Sequence, residues 1–517
     1  MTVHDAMIWV LVLPLGAAPL IYLVGRSVVR LNMAQGKPNR RCTLACLLSL
    51  IALLATWVPM AVLAPRVIAG GIIEIQIGTI PMRMDGIALL LGATALLLST
   101  LVLIFSIPYM AGEEGEEKYY ALLPAMTGTI IGLGMANDLF NLWVWFEAMA
   151  VSSYLLVAFY ANERGSLEAG VKYLVQSAVG SVFVLIAIAM VLSQARTLHL
   201  EEISLWPGQV NTLTLAAGAL FIIGFGIKAA LVPLHTWLPD AHSQAPSGIS
   251  AMLSGVVIQA GLIAMLRALG GLPGMLPVWG TLMLIFGAVN IIFGNLMALR
   301  QTQIKRMLAF SSLTHMGYML IGFGVAATLH NTTAAAGGFF HLFTHALMKG
   351  LAFLAAGVLL YTLHVARGSH SPLTVDDLNG ASKRYPFVAF ALSVAMLALG
   401  GLPPLAGFMS KWQIFVGGAE TQNLPVILLV VFAALNSVLS LGYYAPLVNR
   451  MYRNAPSLAV LAGKPAPVLM MVPVVLLTLA VVAIGFWPTL VNGLTEPAGQ
   501  TLWQIFGGLA QAAGAGN

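Results

Sequence analysis

The sequence predicts an all-α polytopic membrane protein of about fourteen transmembrane helices, and three observations carry that expectation. Of 517 residues, 59% are hydrophobic and only 8% are charged, with a mean hydropathy of +0.91, whereas an ordinary soluble domain carries about 25% charged residues. Apolar runs of about 20 residues, the length that spans a bilayer, recur along the chain. Lys and Arg are dense in every second loop between those runs, the pattern of the two faces of a membrane.

Taken in order, helices 1–4 are expected near 6–25, 42–64, 85–107 and 119–138, and helices 5–8 near 139–160, 166–194, 213–238 and 246–270. Helices 9–14 follow near 275–297, 305–327, 333–362, 386–418, 424–449 and 468–490. The alternating run IIEIQIGTI at 72–80 is too short to cross and reads as a small hairpin. Cys42 and Cys46, the two cysteines, lie four apart on one apolar segment and are assigned to packing. No GxGxxG or P-loop sequence follows a strand pattern, so no nucleotide or redox centre is expected in this chain.

Charge placement tests the count. Loops after odd-numbered helices, with the adjoining ends, hold seventeen of the twenty-four Lys and Arg, among them Arg26, Lys37, Arg40, Arg41, Lys172, Lys305 and Arg306. The other side holds Arg66, Arg83, Arg196 and Arg267. The positive-inside rule then puts both termini on the outer, periplasmic side of a cell inner (plasma) membrane. The same excess accounts for the net charge of +6, so no nucleic-acid partner is needed. The N-terminus lacks the basic region of a cleavable signal peptide, and helix 1 is expected to be retained.

Three lysines, Lys228, Lys349 and Lys411, fall inside predicted spans. Charge at bilayer depth costs about 2.5–3.5 kcal/mol or more, which makes each a candidate functional group. Pro233 is expected to break helix 7 just after Lys228, and freed backbone groups are tolerated at that depth only against protein or a water-filled cavity. Helix 12, ALGGLPPLAGFMSKWQIF, repeats the arrangement with Gly-Gly, Pro-Pro and then Lys411. Two interrupted helices, each with a lysine, in matching positions of two halves point to inverted repeats over helices 4–8 and 9–13. The expected organisation is 1–118 for helices 1–3, 119–270 for the first repeat, 275–449 for the second, and 450–517 for helix 14 and the tail.

Glu147 is the only acid well inside a predicted helix. Pairing with Lys228 would hold the lysine's proton while the acid is near and release it when the acid moves, a proton switch. The alternative is a static ion pair that orients two helices. Helix 11 sets His341, His345 and Lys349 at i, i+4 and i+8, within a sector of about 80° on an otherwise apolar helix. Two histidines four apart can bind a metal; beside a lysine, proton relay is the chemistry that suits them better. Helix 10 carries His315 beside Ser311, Ser312 and Thr314, which reads equally as a water-holding patch or as interhelical hydrogen bonding.

The stretches GIKAALVPLHTWLPDAHSQAPSGISAMLSG, LRQTQIKRMLAFSSLTHMGYML, FFHLFTHALMKGLAFLAAG and GLPPLAGFMSKWQIF resemble the antiporter-like M/N/L-type membrane subunits of respiratory complex I, which are similar to the large subunits of Mrp antiporters. The resemblance covers roughly residues 70–450. It implies a proton-translocating subunit of a redox-driven NADH:quinone oxidoreductase, with two inverted five-helix repeats and a charged axis along the mid-membrane. Glu147 and Lys228 would be the coupling pair, His315, His341, His345 and Lys349 part of the axis, and Lys411 the terminal lysine. Flavin, iron–sulfur clusters and quinone handling would belong to partner subunits, with no cofactor or metal in this chain. Large subunits of Mrp-type cation/proton antiporters or of membrane-bound hydrogenase complexes are the alternative.

One departure from that family is Gln259, where many members carry a lysine on helix 8. Glutamine hydrogen-bonds but does not hold a proton charge, so transfer between the halves would run through water and Gln259 to a histidine of helix 10 or 11. Lys411 stands where one complex I subunit typically carries glutamate.

Overall fold

A computed structural model describes residues 1–35, 42–205, 211–272 and 276–514. Lys37, Arg40 and Arg41, counted above on the basic side, lie outside the described residues. The chain is almost entirely helical. α1 (Val3–Ala34), α2 (Thr43–Ile68), α3 (Gly86–Tyr109), α4 (Glu116–Met135), α5 (Leu139–Val157) and α6 (Arg164–Ala195) supply the first six crossings. A hairpin of β1 (Ile73–Ile77) and β2 (Ile80–Met84) joins α2 to α3; it pairs Ile73 with Met84 and so runs a few residues beyond the alternating sequence.

After the short α7 (Leu200–Ser204), crossing seven is broken into α8 (Thr212–Lys228) and α9 (Trp237–Gln244). Crossing eight is α10 (Ser247–Met252), a π-helical turn at Leu253–Val257, and α11 (Ile258–Gly270). Then come α12 (Leu276–Ala298), α13 (Ile304–Leu329), α14 (Thr332–Leu363), a second broken pair α15 (Pro386–Gly400) and α16 (Ala406–Glu420), and α17 (Leu424–Arg453). Last are the short α18 (Leu458–Ala462), the fourteenth crossing α19 (Val468–Phe486), and α20 (Asn492–Gly514). Eleven of the described helices are long and apolar enough to cross a bilayer unaided. The broken helices and the more polar α4 complete the fourteen.

Side-chain caps fix where helices begin. Asp85, Asp138, Asn211, Asn331 and Asn423 each accept a backbone N–H three residues on, opening α3, α5, α8, α14 and α17. The ends also check the parity of the count. Asp240, in α9 at the end of crossing seven, accepts from Lys172 in the first turns of α6 (3.1 Å) and from Arg306 at the start of α13 (2.6 Å). On the opposite face Asn331 meets Glu420 and Asp138 bridges to His199. Each pair joins loops that fourteen alternating crossings put on one side.

The core lies where α3, α10–α11, α13 and α14 pack, and these are the helices most fully enclosed. By contrast α1, α2, α17 and α19 keep apolar outer faces exposed, including Leu23, Leu54, Leu435 and Leu479, as helices facing lipid or another membrane chain do. Two charges read as loop residues are buried. Arg267 bonds Asp85 at 2.8 Å, and Lys305 is 7% exposed.

Candidate functional site

Both helix breaks are held open by side chains. In the first, α8 stops at Lys228, Ala230 adopts φ +56°, and the freed backbone is taken up by Asn290 of α12, which accepts from Val232 N–H (2.9 Å) and donates to the Ala230 carbonyl (3.2 Å). In the second, Gly401 turns the chain at φ +80°; Lys411 Nζ donates to the Leu399 carbonyl and the Ser437 hydroxyl to that of Gly400 (2.8 and 3.0 Å). The two lysines flank their breaks differently, since Lys228 closes the helix before its break and Lys411 lies in the helix after it.

Lys228 is fully buried. Its ammonium donates to Tyr173 Oη (2.9 Å) and Ser177 Oγ (3.1 Å) on α6, and lies 4.3 Å from the centroid of the Tyr173 ring, which stacks on Trp237. The expected contact with Glu147 is not made in this conformation: among the described residues no ion pair joins them, and Glu147 Oε1 is buried without a hydrogen-bond partner. α11 packs its backbone against Lys228 at Gly261, where an added Cβ would come within 2.9 Å of Lys228 Cβ. The ammonium finds its hydrogen bonds on α6 and meets α5 through the ring of Phe146, 5.6 Å away. Glu147 remains close enough to act on the charge of both Lys228 and Tyr173.

The second half gathers its groups closely. Gln259 Nε2 donates to the Leu342 carbonyl (2.9 Å) and contacts His345 Nδ1 (3.0 Å). The carbonyl can only accept, so the NH2 end of the amide faces α14 and its second hydrogen goes to Nδ1, leaving the His345 proton on Nε2. The π-helical turn just before Gln259 is the kind of local distortion that re-aims a side chain at a site. His345 and His315 rings lie 5.1 Å apart. His315 Nδ1 meets His341 Nε2 at 3.0 Å, and His341 Nδ1 meets Ser410 Oγ at 2.9 Å, next to Lys411. Tyr318 lies between, 4.6 Å from the Lys411 ammonium. Lys349 branches off, donating to the Leu308 carbonyl (2.8 Å) and to Ser311 (2.6 Å), which bonds Tyr444.

The structure thus joins Gln259, His345, His315, His341 and Lys411 into one buried row. Lys228 stands apart, with no hydrogen bond to Gln259 among the described residues. His341 has both ring nitrogens engaged by neighbours, and no cluster of three or more His, Cys, Asp or Glu in metal-holding geometry occurs among the described residues. Sequence reasoning missed Tyr173, Asn290, Tyr318, Ser410 and Ser437, which are common residue types on apolar helices. It also missed buried His235 and His242, although both lie in the same quoted stretch as Lys228.

A family model described as NADH:quinone oxidoreductase/Mrp antiporter, TM, matches residues 136–439. The chain is 31% identical over 481 residues to the F(420)H(2) dehydrogenase subunit N of Methanosarcina mazei, covering 91% of this chain and 95% of that one. It is 32% identical over 426 residues to the NADH-quinone oxidoreductase subunit N of Chloroflexus aggregans, covering 80% and 84%. Its fold is similar to a chain of the membrane-bound sulfane sulfur reductase, an archaeal respiratory membrane complex, with a TM-score of 0.84, 27% identity, and coverage of 97% and 99%.

Proposed function

This chain belongs to the NADH:quinone oxidoreductase/Mrp antiporter transmembrane family, and from that premise we propose that it moves protons across the membrane within a redox-driven complex of the NADH:quinone oxidoreductase type. The observation that carries the reading is the buried row from Gln259 through three histidines to Lys411, which alternates groups able to hold a proton with groups able to pass one. Its relatives by sequence are named as subunits of dehydrogenases and quinone oxidoreductases, which favours redox drive over simple antiport.

On this reading electron transfer, flavin, iron–sulfur clusters and quinone all belong to partner subunits. The exposed apolar faces of α1, α2, α17 and α19 meet those neighbours or lipid, and the Lys/Arg-rich loops face the cytoplasm. Glu147 acts as the switch for Lys228: when a movement of α5 brings the acid to the lysine, the lysine holds its proton, and when the acid withdraws the lysine releases it. Purification of the native complex in mild detergent tests the assignment. Flavin- and iron–sulfur-containing subunits are expected to co-purify, and a set of small cation-antiporter subunits without redox centres would contradict it.

A further inference from the structure

Two adjoining cavities open on the face that carries the basic loops, and neither belongs to the row described above. The outer one, about 280 Å3, is lined by Glu113, Glu114, Lys118, Tyr160, Glu163 and His370. The inner one, about 70 Å3, shares Tyr160, Glu163 and His370 and reaches Tyr109 and Lys305. A single water needs only about 10–15 Å3, so both have room for water. From the floor of the inner cavity Lys305 donates to the Ala245 carbonyl just after α9. Three residues earlier, His242 is fully buried with both ring nitrogens unpartnered among the described residues. Its ring stacks at 4.7 Å on Phe353, one turn beyond Lys349 on α14, and both Lys305 and Lys349 are near enough to act on its charge.

We infer that these cavities are the mouth of a proton inlet that runs from Glu113, Glu163 and His370 through Lys305 and His242 to Lys349. The carboxylates of Glu113, Glu114 and Glu163 draw positive charge into the mouth. Burial pushes the Glu113 carboxyl up, with His370 pulling the other way, so this acid takes a proton more readily than a fully exposed one. A proton taken from bulk water by Glu163 or Glu113 passes along water to the Lys305 amine. The resulting ammonium gives it to one nitrogen of His242, and the imidazolium releases it to the amine of Lys349. Each carrier returns to its starting form and one positive charge has moved inward. An imidazole with both nitrogens free can accept on one and donate from the other, which gives the otherwise unpaired His242 a role.

The inference rests on the proton-translocation reading, and the test keeps the two apart. The intact complex, in inverted membrane vesicles, is assayed for proton uptake and electron transfer with Glu113→Gln/Glu163→Gln, Lys305→Met, His242→Phe and, as reference, Lys411→Met. Lys305→Met and His242→Phe are expected to slow proton uptake at least tenfold, and the double glutamine variant several-fold. Wild-type uptake in the inlet variants beside a loss in Lys411→Met would overturn the inlet and leave the function standing. Wild-type uptake in all four would overturn the function itself. If a core variant fails to assemble, the double variant decides, since its substitutions lie in surface loops: normal uptake there overturns the inlet.

Discussion

Replacing His341 with phenylalanine is expected to cut proton translocation by the assembled complex at least tenfold. His341 is the one residue of the row whose two ring nitrogens are both engaged, Nε2 with His315 and Nδ1 with Ser410. A positioned proton-transfer group is typically worth about 10²–10⁴ in rate, and phenylalanine fills the ring volume while removing both contacts. The structural cost is modest. Ser410 keeps its bonds with Thr344 and the Ala406 carbonyl, leaving the His315 nitrogen as the main orphan, at about 1–3 kcal/mol. Assembly with lost pumping is the expected result, read by subunit recovery beside vesicle acidification.

Gln259 gives the second large effect, in opposite directions for two substitutions. Lysine at this position would find both acceptors that the amide now serves, the Leu342 carbonyl and His345 Nδ1. It would lose only Oε1, which has no partner. Gln259→Lys is therefore expected to assemble and pump, with an added titratable group that by like-charge repulsion lowers the proton affinity of its neighbours. Gln259→Leu matches the volume but leaves His345 Nδ1 unpaired and breaks the link into the row, so pumping is expected to fall about tenfold. A tolerated leucine with a disruptive lysine would make position 259 a packing site. The measurements are the yield of intact complex and the initial rate of proton uptake.

Much of this was legible in the sequence because a bilayer permits few solutions. Span length, loop charge and the Gly/Pro breaks are each visible in one dimension, and they predicted the fourteen crossings and both interruptions. The His341, His345 and Lys349 stripe followed from helical periodicity, although only the two histidines join the row and Lys349 turns toward Ser311. What sequence did not convey was the direction of long side chains. Lys228 looked like a partner for Glu147 because both are charges in apolar runs, yet its ammonium bonds Tyr173 and Ser177 on α6 and lies over the Tyr173 ring. Lys305 looked like a loop charge because it stands beside Arg306 at a helix start. Only packing shows that Arg306 turns out to Asp240 while Lys305 turns in to Ala245.

The central claim, that protons cross this chain along the buried row and that electron transfer drives them, is tested most directly on Lys411. This lysine ends the row, held by the Leu399 carbonyl and Ser437, and methionine replaces its stem without its charge. The measurement is the number of protons translocated per electron in the purified, reconstituted complex carrying Lys411→Met, beside the wild type. The account predicts that this ratio falls, or that electron transfer stalls because the two are tightly coupled. An unchanged ratio at an unchanged rate of electron transfer would contradict it.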